Sequence, residues 1–196
     1  MIKGIKINVQ YDTTFNLCDY YLSILSFVHP FIENAKGKPV SIPVFYYLHA
    51  RKFDETHQTF WDFFEKKIGK EATNIFIVTD CESAIRNAIK RSLAKYDICL
   101  VRCWNHLSKT IERWLRCHNS ASDVGNYVSA VRELMLQTTK ENFDSVLIEK
   151  KTYWNENFIK YFDTHIMPDV SSIARYAIKE SVGHHFNSIS GIYILF

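Results

Sequence analysis

The amino-acid sequence predicts an α/β protein built on a mixed sheet. Three apolar segments with short connections lie before residue 50, which is typical of an antiparallel meander. After residue 55 the periodicity alternates between helix and strand, which favours parallel strands with helices packed on the sheet. The chain has 196 residues, 47% of them hydrophobic, which is enough for a sizeable core. We therefore predict a mixed five-stranded sheet flanked by helices, followed by an all-helical segment.

The first three strands are predicted from residue patterns and turn signals. Apolar residues alternate with polar ones at Ile5, Ile7, Val9 and Tyr11, so residues 1–11 are predicted to form a strand with one apolar face. The second strand is predicted from Tyr20 to Val28, and His29-Pro30 is expected to stop it. The third runs from Ile42 to His49, after the turn-like Lys36-Gly37-Lys38-Pro39.

The next elements alternate and place an acid at a strand end. A helix is predicted from about Glu55 to Ile68, with Thr56 as one candidate cap. Four apolar residues, 75–78, predict a strand buried on both faces, and the helical spacing resumes at Ala84. Asp80 lies between them, as either a helix N-cap or a site residue. A fifth strand is predicted over residues 96–104, and helices over 106–120, 123–139 and 141–165.

Three motifs carry a resemblance to a known family: Tyr11-Asp12-Thr13-Thr14-Phe15, Val78-Thr79-Asp80-Cys81-Glu82-Ser83-Ala84-Ile85 and Arg102-Cys103-Trp104-Asn105-His106-Leu107. In this order and spacing, the sequence resembles the Mutator-like (MULE) transposase domain over nearly its whole length. The resemblance implies a ribonuclease H-like sheet of strand order 3-2-1-4-5, with a helical insertion after the fifth strand. It implies a catalytic core at 1–105, the insertion at 106–175, and a truncated or disordered end at 176–196 that leads towards a missing last core helix.

The resemblance also implies a chemistry. Transposases of this family cut and rejoin DNA with a triad of acids, and Asp12 and Asp80 match the first two, as catalytic residues and metal ligands. The cofactor would be Mg²⁺ or Mn²⁺ in a two-metal site, because a pair of ions activates the attacking oxygen and neutralises the leaving one. The implied partner is DNA at transposon ends, and a homo-oligomer stays open. The expected location is nuclear, or cytoplasmic if the protein is not imported.

The third acid of the triad is missing from its expected place. The family's last motif should follow Ser188–Ile192 with a Glu, and the sequence instead ends at Phe196. We therefore expect the chain as written to be an inactive transposase core. One alternative is a catalytically dead, transposon-derived DNA-binding or protein-interaction module. Another is an unrelated ribonuclease H-like nuclease whose third acid is Glu82, Asp97 or Glu180.

Cysteine, histidine and charge patterns add weaker signals. Cys103 and His106 match a Cys-x-x-His motif of the family, and either a metal or a structural contact near Asp80 accounts for it. Zinc is disfavoured because Cys117 and His118 are adjacent, which does not fit zinc spacing. Five cysteines, an odd number, fit a reducing compartment. The net charge of +3 gives mild support for a polyanionic partner, and no apolar stretch has the length of a membrane span.

Overall fold

The structure, a computed structural model, describes residues 5–15, 19–35, 37, 39–68, 72–80, 82–118 and 124–182. These residues form two compact units. We refer to the residues up to Cys103 as the sheet unit and to those from Trp104 onward as the helical unit. The expectation of a missing third acid near the end of the sequence falls on residues 183–196, which lie outside the described part of the chain.

The sheet unit contains five strands and two helices. The strands are β1 (Ile5–Phe15), β2 (Tyr21–Glu33), β3 (Pro39–His49), β4 (Ala72–Thr79) and β5 (Asp97–Arg102), and the helices are α1 (Asp54–Lys67) and α2 (Ser83–Ser92). The spatial order is β3-β2-β1-β4-β5. β2 is antiparallel to both β1 and β3, whereas β4 is parallel to both β1 and β5. The predicted α/β class, with a mixed five-stranded sheet flanked by helices, is confirmed.

Helices α1 and α2 pack on one face of this sheet. The side chains that form the shared core are Val9, Tyr11, Leu25, Phe60, Trp61, Phe64, Ile75, Ile77, Ile85, Ala88, Ile89 and Leu93. Because successive strand residues point to opposite faces, Val9 and Tyr11 face the helices, while residues 10 and 12 face the other side. Phe76 and Val78, on that other side of β4, are buried as well. β4 is therefore buried on both faces, as its apolar run predicts.

Two strands extend beyond their predicted ends. β1 continues through Asp12 to Phe15 because its last residues pair with the start of β2, ending at Phe15 opposite Tyr21. β2 runs past Pro30 to Glu33, so the prediction that His29-Pro30 stops it is wrong. The register between β2 and β3 shifts after Val28, and proline is tolerated where a ladder is interrupted because it has no N–H to donate.

The helical unit packs five α-helices around its own core. The helices are α3 (Trp104–Cys117), α4 (Val124–Met135), α5 (Lys140–Lys151), α6 (Glu156–His165) and α7 (Arg175–Val182), with a 3-10 helix at Met167–Ser172. Its largest buried side chains include Trp104, Tyr127, Phe143, Trp154, Phe158 and Phe162. Within the described ranges, no helix combines the length and the apolar character that crossing a bilayer requires.

The single helix predicted over 141–165 is wrong, because the chain breaks there into α5 and α6. The break has a local cause at Asn155, whose side-chain oxygen accepts the backbone N–H of Phe158 at 2.8 Å. Asn155 thereby caps a new helix, and its own backbone adopts an extended conformation. The apolar periodicity continues across residues 152–155, so the sequence pattern alone does not indicate this cap.

Candidate functional site

The ends of four strands meet at one edge of the sheet. β1, β3, β4 and β5 run in the same direction, so their carboxyl ends lie together. Tyr11 pairs with Thr79, and Thr79 pairs with Arg102. The next residues are Asp12 on β1, Asp80 directly after β4 and Cys103 directly after β5. They follow at the same level, and the strands before them are about 4.8 Å apart. We call this row the carboxyl edge.

Asp80 occupies the turn between β4 and α2. Its Oδ1 accepts the backbone N–H of Glu82 at 3.2 Å, and Glu82, not Asp80, holds the N-cap position of α2. This is the local bond by which aspartate stabilises a turn before a helix. A carboxylate offers about four acceptor positions, so this bond is compatible with binding a cation. The interpretation of Asp80 as the N-cap of α2 is therefore wrong, and the interpretation as a site residue stays a prediction.

Asp12 lies within β1, and its residue is exposed. Its neighbour Tyr11 is 1% exposed and points into the helix-covered core. The alternation of a strand places Asp12 on the opposite face from Tyr11, whereas Asp80 directly follows Thr79, the last residue of β4. The acids that the resemblance selects thus follow a pair of buried residues, Tyr11 and Thr79, that fix the backbone on both strands.

A buried polar network lies behind the carboxyl edge, on the helix-covered face. The Ser23 hydroxyl is 2.8 Å from His49 Nε2 and 2.8 Å from Thr13 Oγ1. His49 Nδ1 donates to the Arg51 carbonyl at 2.8 Å, since a carbonyl only accepts. In the neutral ring, Nε2 then accepts from Ser23, and Ser23 accepts from Thr13. The network ties β1, β2 and β3 together at the ends of these strands.

A second buried pair, Tyr11 and His57, completes the network. The Tyr11 hydroxyl is 2.8 Å from His57 Nδ1, and the rings of His57 and His49 lie 5.6 Å apart. Burial raises the pKa of Tyr11 to about 12. Burial, and then the nearby His49, lower the pKa of His57 to about 4. Both groups are therefore neutral near pH 7, and His57 Nε2 has no hydrogen-bond partner within the described residues.

The sequence prediction missed this network, although one signal for part of it exists. His57 lies three residues before Phe60 and seven before Phe64, so the helical spacing of α1 places it on the buried face. Ser23 and His49 gave no comparable signal, because a buried hydroxyl on an apolar strand is recognised only when its partner is known.

The three substitutes for the missing acid have different positions. Glu82 lies close to Asp80, and its carboxylate forms an ion pair with Lys52 at 2.7 Å. Asp97 pairs with Asn74 at the opposite end of the parallel strands, about 20 Å from Asp80 at roughly 3.3 Å per residue. Asp97 is therefore too distant to share an ion with Asp12 and Asp80. The side chain of Glu180 lies outside the described part of the structure.

The Cys-x-x-His motif spans the two units. Cys103 directly follows β5, and its backbone N–H donates to the Thr79 carbonyl at 2.7 Å, whereas His106 is the third residue of α3. Farther along α3, His118 Nδ1 donates to the Trp114 carbonyl at 2.8 Å, and Cys117 is exposed. Across the ranges that the structure covers, no three His, Cys, Asp or Glu side chains are grouped so that they could share a metal ion.

The two acids nevertheless suit a hard cation. Mg²⁺ is commonly held by one or two carboxylates, with waters and substrate phosphates completing its coordination. Asp12 on β1 and Asp80 just after β4 each follow one member of the Tyr11–Thr79 pair, so they provide two carboxylates near one level of the sheet. The sequence matches no known protein family and no curated protein. The fold and the paired acids are therefore the observations on which a functional proposal can rest.

Proposed function

We propose that the sheet unit is a ribonuclease H-like core of the Mutator-like transposase type, which binds DNA and holds a divalent cation between Asp12 and Asp80. The observation that carries the proposal is the register of β1 and β4, which pairs Tyr11 with Thr79, the residues directly before Asp12 and Asp80. The central position of β1 in the sheet and the helical segment after β5 support it further.

Asp12, Asp80 and the buried residue before each of them have distinct roles in this proposal. A bound divalent cation would supply charge neutralisation at a phosphodiester and activation of the attacking oxygen. Asp12 and Asp80 would hold it through carboxylate oxygens. Tyr11, buried beside Asp12 and bonded to His57, keeps β1 rigid at the point where the Asp12 carboxylate projects. Thr79, also buried, does the same beside Asp80.

Among the described residues no third acid is grouped with Asp12 and Asp80, and the carboxylate of Glu82, two residues beyond Asp80, is paired with Lys52. We therefore expect the chain to bind a divalent cation and DNA without efficient strand cleavage. This observation favours the second function, a transposon-derived DNA-binding module, over an active nuclease.

The experiment compares the full chain with Asp12→Asn, Asp80→Asn and Asp97→Asn. Asp97→Asn is the matched control, because it removes the same charge at the opposite end of the same sheet. Mn²⁺ binding is followed by the loss of the free-ion electron paramagnetic resonance signal. We expect either edge variant to weaken binding roughly tenfold or more, and the control to leave it unchanged. Supercoiled DNA with Mg²⁺ or Mn²⁺ then tests nicking.

The outcomes separate the candidate functions. Nicking that disappears in Asp12→Asn and Asp80→Asn but persists in the control would identify an active nuclease with a complete site. Mn²⁺ binding that depends on both acids, together with DNA binding and no nicking, is the expected result. Mn²⁺ binding that is equal in all four proteins, or absent from the unsubstituted chain, would contradict the cation site.

A further inference from the structure

A pocket of about 690 Å³ opens at the same edge of the sheet unit, where the chain passes from β3 into α1. The side chains that line it include Lys52, Phe53, Asp54, Glu55, Gln58 and Arg91. All of them belong to the start of α1, the segment before it, or α2. This volume falls in the range of small-molecule sites.

Two ion pairs fix the walls of this pocket. Lys52 pairs with Glu82 at 2.7 Å, and Arg91 pairs with Asp54 at 3.1 Å. The Lys52–Glu82 pair connects the residues before α1 to the turn before α2, and the Arg91–Asp54 pair connects α2 to the start of α1. Because these charges neutralise one another, the pocket is polar without a strong net charge. Such a lining suits a ligand that is flat and carries both donors and acceptors, rather than a compact anion.

Phe53 gives the pocket an aromatic surface. It is 57% exposed, and the Arg51 guanidinium carbon lies 5.8 Å from its ring centroid. An exposed aromatic ring beside a cation is the arrangement with which proteins stack a nucleic-acid base and contact its phosphate. Gln58, half-buried, and Glu55, exposed, add an amide and a carboxylate that can bond to a base edge.

We propose that this pocket binds the base of an unpaired nucleotide in a DNA strand. The inference rests on the proposed function and deepens it. Phe53 stacks on the base, Gln58 and Glu55 face its hydrogen-bonding edge, and Arg51 contacts the adjoining phosphate. Lys52, in the wall of the pocket, pairs with Glu82, two residues beyond Asp80. The bound nucleotide therefore lies near the carboxyl edge, on the helix-covered face of the sheet.

The test measures binding of the full chain to a fluorescein-labelled single-stranded oligonucleotide by anisotropy, in a chelator so that the cation site plays no part. We expect Phe53→Ala to weaken binding about tenfold, and Phe53→Tyr to keep most of it. Gln58→Leu preserves the volume of the side chain but removes the amide. It tests the proposed hydrogen bond to the base edge and should also weaken binding. A 2-aminopurine base in the oligonucleotide reports stacking directly, and its fluorescence change on binding should disappear in Phe53→Ala.

Phe63→Ala is the matched control for this site. Phe63 is also exposed on α1 and also has a cation over its ring, Lys67 at 5.4 Å, but it lies outside the pocket. The affinity of Phe63→Ala for the oligonucleotide should match that of the unsubstituted chain. Equal affinity in Phe53→Ala and the unsubstituted chain, or an equal loss in Phe53→Ala and Phe63→Ala, would overturn the pocket and leave the proposed function standing. Failure of the unsubstituted chain to bind any DNA would overturn the proposed function itself.

Discussion

At the scale of single residues, the acids depend on polar neighbours that face away from them. Tyr11 and Asp12 are adjacent in sequence but point to opposite faces of the sheet. The Tyr11 hydroxyl bonds to His57, a residue of α1 that is 0% exposed. The backbone position of Asp12 is therefore fixed in part by a hydrogen bond across the core, as well as by apolar packing.

His57 makes the stability of the sheet unit sensitive to acid. Its folded pKa of about 4 lies below its ordinary value of 6.5, so between these values the unfolded chain takes up a proton that the folded one excludes. The stabilisation is complete above about pH 6.5 and is lost as the pH falls towards 4. Between pH 7 and pH 5, the free energy of unfolding should therefore fall by about 2 kcal/mol less in His57→Gln than in the unsubstituted protein.

Urea unfolding at the two pH values, followed by tryptophan fluorescence, measures this difference. His165→Gln, at an exposed position at the end of α6, is the control for the effect of a histidine-to-glutamine change itself. An identical pH dependence in His57→Gln and the unsubstituted protein would show that His57 is protonated without cost in the folded state.

Ser23 is the second residue whose loss should be costly. Ser23→Ala removes the hydroxyl that joins Thr13 to His49, and so leaves the buried His49 ring and the half-buried Thr13 hydroxyl without this partner. Leaving a buried group unsatisfied costs about 1–3 kcal/mol, and we expect that loss in the free energy of unfolding. Ser171→Ala, at an exposed position, should change it by less than about 0.5 kcal/mol. Similar values for both variants would mean that the Ser23 network adds no stability.

At the scale of elements, the turn between α5 and α6 depends on one side chain. Asn155 accepts the backbone N–H of Phe158, and its Nδ2 donates to the Tyr127 hydroxyl at 3.2 Å. Asn155→Ala should lower the free energy of unfolding by about 1–2 kcal/mol, because an alanine cannot cap a helix. Urea titration measures the change, and Asn155→Asp should retain most of the stability. Asn157→Ala, at an exposed position two residues later in α6, is the control. An equal loss of stability in Asn157→Ala would argue against capping.

The elements that sequence reasoning located well are those with one dominant signal. The β4 strand and the α2 helix follow from an uninterrupted apolar run and then from spacing of three and four residues. The elements with wrong ends are those governed by pairing or capping. The extension of β1 to Phe15 depends on its partner Tyr21, and the break before α6 depends on Asn155. Neither partner is visible in the local periodicity.

At the scale of the whole molecule, sequence reasoning found the class of fold and the position of Asp80 at a strand end. It did so because apolar patterns report which faces are buried, and a mixed sheet is the arrangement that accommodates them. It could not find the Tyr11–His57 pair, the Ser23–His49 pair or the Phe53 pocket. Their members come from separate strands, helices and loops, and only the folded chain brings them together.

The place of β1 in the sheet also sets the order in which the carboxyl edge can form. β1 pairs on one side with β2, its immediate successor, and on the other with β4, which is far along the chain. The meander of β1, β2 and β3 can assemble early, while pairing of β1 with β4 must close a long loop that includes α1. We therefore expect Asp12 to take its place on the β1–β2 hairpin early in synthesis. We expect the pairing of β1 with β4, which brings Asp80 to the neighbouring position, to be a later and slower step of folding.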